Sequence, residues 1–152
     1  MEQTLVNGIA DNFLHNIFND LSVGLELYDK DGLMIDVNYS RLRSMGIKDK
    51  KDILGYNLFN YTSFSDEIRE QIRKGETVRF VAKYDFDALR HLFPTCLSGT
   101  RFFEITVSFV HNEKSEITNY MVITQDVTER ILWQNKYDLS LIHISEPTRL
   151  RR

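Results

Sequence analysis

Apolar side chains recur every four positions at Leu5, Ile9, Phe13 and Ile17, with Leu14, Phe18 and Leu21 beside them and Asn, Asp and His in between. A spacing near 3.6 puts them on one stripe, so an amphipathic helix ending near Asp20 is predicted. Two short apolar runs follow, at 24–28 and 33–37, on either side of Asp29, Lys30, Asp31 and Gly32. Asp and Gly supply tight-turn conformations, so this stretch reads as a strand pair. Asn38 then stands where its amide can cap a helix over 39–45, and Gly46 ends it. Short helical pieces and breakers fill the middle, closing with a helix over 65–74 that starts on Ser65 and the acidic Asp66 and Glu67.

From Glu76 the period drops to two. Val78, Phe80, Ala82 and Tyr84 alternate with Thr77, Arg79, Val81 and Lys83, and Phe103, Ile105, Val107 and Phe109 alternate with Glu104, Thr106 and Ser108. Both are half-buried strands. Residues 119–127 are apolar on both faces, with Tyr120 and Val122 on one side and Met121 and Ile123 on the other, so each face needs a cover. The connection over 86–100, with Pro94, Cys96 and Gly99, is expected to be mobile. The order of elements implies an α+β fold: one antiparallel sheet with short helices on one face and the N-terminal helix on the other, meeting Met121 and Ile123.

The chain has 152 residues, 42% hydrophobic and 27% charged, which suits one globular core. Its net charge of -3 comes from interspersed charges, so no basic stripe points to nucleic acid or an anionic membrane. A lone Cys96 makes no internal disulfide and no apolar run reaches bilayer length, so a cytoplasmic setting without membrane contact is expected. The stretch LSLIHISEPTR, from Leu139, resembles the translation of an adapter used in preparing sequencing libraries. We read 139–152 as non-native read-through and give His143 no role. Without these residues 16 basic and 21 acidic side chains remain, a net charge of -5.

Four motifs in order, GLELYDKDG at 24–32, DVNYSRL at 36–42, DILGYNLF at 52–59 and DVTER at 126–130, together resemble the PAS family. The last is the most specific, similar to the family's closing signature where the final strand passes into a signalling helix. The texture is also similar to PAS modules of sensor histidine kinases and hybrid two-component sensors of Bacteroidetes-like bacteria. The resemblance implies a five-stranded antiparallel sheet with short helices over one face. It divides the chain into an N-terminal capping helix (1–20), a PAS domain (21–128) and the start of a signalling helix (129–138). Asp126, Thr128, Glu129 and Arg130 become the coupling residues, with Thr128 capping the outgoing helix.

Candidate pocket residues are Phe80, Tyr84, Phe103, Ile105, Tyr120, Val122 and Thr124 from the strands, with Leu42, Met45, Leu54 and Phe59 from the helices. These side chains either line a small-molecule site or simply fill the interior. Flavin-photoreceptor members share an Asn-Cys-Arg run where this chain has YNLFNY without cysteine, so no covalent flavin adduct is expected. Haem-binding members place a His on a helix that here, at 65–74, has none. His15, His91 and His111 share no metal-ligand spacing, and no nucleophile is paired with a base, so neither a metal nor catalysis is expected.

The expected function is a sensory module, driving an output domain absent from this chain through its exit helix. A homodimer is expected through Leu5, Ile9, Phe13, Ile17, Met121 and Ile123. The alternatives are a ligand-free dimerisation scaffold or the PAS part of a transcription regulator.

Overall fold

The computed structural model describes residues 2–136, with side chains described from residue 7 onward. The readings of 139–152 and of the Leu5 side chain therefore fall outside the described residues. Helix α1 (Glu2–Asp20) leads into the strand pair β1 (Gly24–Asp29) and β2 (Met34–Val37), followed by α2 (Tyr39–Met45) and two 3-10 turns at Lys50–Asp52 and Leu58–Asn60. Then come α3 (Asp66–Arg73), β3 (Val78–Asp85), the short α4 (Phe86–Leu89), β4 (Thr100–His111) and β5 (Ile117–Asp126). A last helix, α5, occupies residues 128–136.

The five strands form one antiparallel sheet in the order β2-β1-β5-β4-β3. Register decides what faces inward, because directly paired residues share a face. Glu26 pairs with Val122, Val122 with Val107, and Val107 with Val78. Gly24, Thr124, Ile105 and Phe80 form the neighbouring row. Over this face lie α2, the 3-10 turns and α3. Asn38 caps α2 by accepting from Arg41 N, and Gly46 closes it at φ 65°, a left-handed conformation suited to glycine. Ser65 caps α3 through Ile68 N.

The connection over 86–100 is tied down rather than mobile. Phe86 and Phe93 are buried in the core, the Thr95 hydroxyl donates to Met45 O, and Cys96 N donates to Gly46 O. Two aromatic anchors and these bonds to the end of α2 offset the ordering entropy that a free loop would keep.

The position of α1 also departs from expectation. Its end is fixed by Asn38 Nδ2 donating to Phe18 O at 2.9 Å and by Ser40 donating to Leu21 O, so it packs chiefly on α2. Within one chain its stripe does not cover the outer sheet face, because Ile9 and Phe13 are 67% and 64% exposed and Ile17 is also exposed, while Met121 and Ile123 are half-buried. Those two anchors orient the helix, and its own hydrophobic pattern does not.

Candidate functional site

Alternation along β1 sends Glu26 and Tyr28 inward together, and both are fully buried. Across from them, α2 presents Arg41 from the turn that also carries Leu42 and Met45. Arg41 Nε donates to Glu26 Oε1 at 2.5 Å, and the Tyr28 hydroxyl donates to Glu26 Oε2 at 2.5 Å. The Tyr61 hydroxyl lies 3.3 Å from that of Tyr28 and 3.4 Å from Glu26, while Arg41 Nη2 reaches the Tyr84 hydroxyl at 3.4 Å. The guanidinium also lies 5.6 Å from the Tyr84 ring centre and 5.3 Å from that of Phe103, so two aromatic rings and a carboxylate enclose one charge.

A buried ion pair is a costly core element. Taking each ion out of water costs several kcal/mol, which close geometry and added hydrogen bonds only partly return. Here the second Glu26 oxygen is satisfied by tyrosine, yet Arg41 Nη1 is buried with no partner among the described residues. Burial is the largest single influence on Arg41 and lowers its pKa, but the charge and hydrogen bond of Glu26 together with the Tyr84 and Tyr61 hydroxyls outweigh it, and the guanidinium stays charged. Burial pushes the Tyr28 and Tyr61 hydroxyls well above their ordinary range, with the Glu26 charge adding to both. Tyr84 rises for the same first reason, against the pull of Arg41.

Gly24 stands beside this centre because nothing larger fits. A Cβ there would come within 2.3 Å of Thr124 Oγ1 and 3.1 Å of Arg41 Cβ and Cδ. We predict that Gly24→Ala lowers stability by about 1–3 kcal/mol through overpacking. An unchanged urea midpoint would show that the first strand has room to spare.

All eleven candidate pocket residues converge on this interior. Leu42, Met45, Tyr84, Phe103, Ile105, Tyr120 and Val122 belong to the buried core, Thr124 is buried among them, and Leu54, Phe59 and Phe80 pack against its edge. Glu26, Arg41, Tyr28 and Tyr61 were not singled out from the sequence, although β1 alternation pairs Glu26 with Tyr28, and Arg41 lies four residues before the apolar Met45. A cavity of about 190 Å³ adjoins the centre, lined by Tyr61, Ser63, Tyr84, Ala88, Leu89 and Phe93 among others.

At the other end of β5, Asp126 accepts from Thr128 N at 2.9 Å and lies 3.7 Å from Arg101. The Thr128 hydroxyl turns back to β4 and accepts from Phe102 N at 2.9 Å, while Val127 N donates to Phe102 O. Thr128 therefore fastens the junction to β4, and Asp126 takes the capping role expected of Thr128. Arg130, on α5, donates to Glu104 Oε2 at 3.0 Å, and Arg79 from β3 meets the other oxygen. Hydrogen bonds from Arg130 and then Arg79 hold the Glu104 carboxyl below its usual range. Glu129 is exposed.

The chain matches no family model and none of the curated proteins compared with it. Among solved structures it is similar to an RNA-binding light-oxygen-voltage receptor, with TM-score 0.68 and 22% identity over 92% of this chain and 40% of that one. It is also similar to the PAS domain of an HTR-like protein from Haloarcula marismortui, with TM-score 0.61 and 16% identity over 82% and 98% of the two chains. A PAS domain from a two-component sensor histidine kinase gives TM-score 0.59 and 15% identity over 79% and 98%. The chain has the PAS fold. It spans less than half of the light-oxygen-voltage receptor and nearly all of the two isolated PAS domains.

The residues present do not fit the flavin that some members of this fold family hold. Tyr28, Arg41, Met45 and Phe103 are all at most 1% exposed and occupy the middle of the interior, and the adjoining 190 Å³ falls below the ~300–1,000 Å³ of a drug-sized pocket. Cys96, the chain's single cysteine, is exposed on the connection over 86–100. Among the described residues His15, His91 and His111 are all exposed, so none of them stands in the interior as an axial haem ligand. Among the described residues no group of His, Cys, Asp or Glu could hold a metal ion, and no helix is long and apolar enough to cross a membrane.

Proposed function

We propose that this chain is a PAS-family sensory module, not itself catalytic, that passes a change in its sheet to an output domain through α5, as in a two-component sensor kinase. The observation that carries the reading is the junction of β5 and α5. Thr128, Val127 and Asp126 bind it to β4, and Glu104 joins Arg130 of α5 to Arg79 of β3. A shift between β3, β4 and β5 is thereby applied to the start of the helix, which is the mechanical requirement for a relay. Asp126, Thr128 and Arg130 are the coupling residues, and the setting is cytoplasmic.

The same reading makes the domain a homodimer. The exposed Ile9, Phe13, Leu14 and Ile17 of α1, with Leu132 and Trp133 of α5 and the half-buried Met121 and Ile123, leave apolar surface of the kind that marks an interface. Sedimentation should show a dimer for the wild type and a monomer for Ile9→Glu/Phe13→Glu, with unchanged circular dichroism. A monomeric wild type at micromolar concentration would overturn the dimeric sensor. The densely filled interior favours a second reading, a ligand-free scaffold acting only by pairing chains. In that case Thr128→Val would leave the output of the parent protein unaltered, whereas the relay requires it to change.

A further inference from the structure

Going beyond that function, we infer that the cleft between the end of α1 and the segment after α2 is a binding site for a small aromatic anion, with its oxyanion on Arg43 and Lys48 and its flat apolar body beside Tyr39. The cleft has a volume of about 400 Å³, within the ~300–1,000 Å³ of small-molecule pockets. Its floor is apolar, made by the buried Val37, Leu42 and Ile47, and the exposed Tyr39 adds an aromatic side. His15 and Asn19 complete the lining from α1. Asn38 Nδ2 on Phe18 O anchors that end of the helix, so this wall is part of the fold.

Arg43 carries the assignment. Among the described residues every other arginine makes an ion pair, from Arg41 with Glu26 to Arg130 with Glu104, whereas Arg43 makes none. Its side chain reaches the Ser40 hydroxyl at a long 3.4 Å. Lys48 likewise has no ion pair among the described residues, while Lys50, the third cation of the lining, is engaged by Asp36 at 3.4 Å. Asp49 is the one carboxylate in the lining, and its Oδ1 is turned to Lys51 N as the cap of the 3-10 turn at Lys50–Asp52. The cleft thus concentrates positive charge in a chain whose net charge is -3. A guanidinium fork takes two oxygens of an oxyanion and an ammonium takes one more, which is the donor set for a carboxylate or its like. A neutral molecule would leave both cations unanswered, and a bare inorganic anion would leave the Tyr39 ring in water. At about 100° per residue, His15 and Asn19 point away from the Ile9, Phe13 and Ile17 stripe, so pairing of chains through that stripe leaves the cleft open.

Naphthoate, its neutral isostere naphthamide, and acetate are the probes, titrated into the full chain by calorimetry while backbone amide shifts are followed by NMR. Naphthoate should bind with a Kd below about 1 mM and shift amides at 15–19 and 39–50, whereas naphthamide and acetate should each bind at least about tenfold more weakly. Arg43→Gln and Lys48→Gln should each weaken naphthoate about tenfold, and Arg43→Lys should recover only part of the loss because it lacks the fork. Both side chains are exposed, so circular dichroism should be unchanged in all three variants. Lys114→Gln, which removes an exposed cation from the turn between β4 and β5, should bind like the wild type. The assignment is overturned if naphthamide or acetate binds as well as naphthoate, if Arg43→Gln keeps wild-type affinity, if the shifts fall elsewhere, or if no binding saturates at millimolar concentration. None of these results touches the relay through α5, which the Thr128→Val variant and sedimentation test separately.

Discussion

Arg41→Ala should destabilise the domain by about 3–5 kcal/mol, because it strands the fully buried Glu26 carboxylate without its cation. Against a total stability of about 5–15 kcal/mol for a domain of this kind, that loss removes much of the folded population. The paired replacement Glu26→Leu/Arg41→Met behaves differently. It takes out both charges, fills similar volume and ends the unmet demand of Nη1, and exchanges of this sort are neutral or stabilising by about 1–4 kcal/mol. Urea unfolding of the three proteins separates the cases. A double variant as weak as Arg41→Ala would mean that the pair itself, and not the orphaned charge, holds the core together.

Alkali should unfold this domain steeply. In the folded chain Tyr28, Tyr61 and Tyr84 keep their protons at pH values where an unfolded tyrosine has lost its own, since burial and the Glu26 charge raise all three. The stabilisation is complete below about pH 10 and is lost as pH climbs from there toward the folded-state values. Each tyrosine contributes about 1.4 kcal/mol per pH unit, so the three together give a slope of about 4 kcal/mol per unit. Tyr56 and Tyr120 shift the same way through burial, and the half-buried Tyr56 counts for less. Denaturant midpoints measured between pH 9 and about 11.5 give the slope directly, and Tyr28→Phe should reduce it by about one tyrosine's share. A flat profile would place these hydroxyls in water.

Period and caps carried most of the architecture. The change from a spacing of four to a spacing of two located the long strands, and Asn38, Gly46 and Ser65 marked helix ends where the structure has them. The inward face of β3, β4 and β5 was readable because buried and exposed positions alternate along them. Two features were not legible. The placement of α1 depends on Asn38 and Ser40 gripping the carbonyls of Phe18 and Leu21, which no periodicity records. The ion pair was hidden for a different reason: Glu and Arg are expected at the surface, so nothing singles out Glu26 and Arg41 until the β1 register turns Glu26 inward and α2 lays Arg41 against it. The connection over 86–100 misled in the same way, since Pro and Gly suggested mobility while Phe86 and Phe93 supplied anchors.

The central claim is that the interior and α5 are mechanically one unit, joined through β4 and β5. Amide hydrogen exchange on the wild type and on Glu26→Leu/Arg41→Met tests it most directly, since exchange reports the opening free energy of each segment. The account predicts altered protection at residues 128–136 as well as at 100–104, where Phe103 touches Arg41 directly, and no response at 128–136 when Thr128→Val is added. Exchange that changes only around β1 and α2, with α5 untouched in every variant, would contradict it.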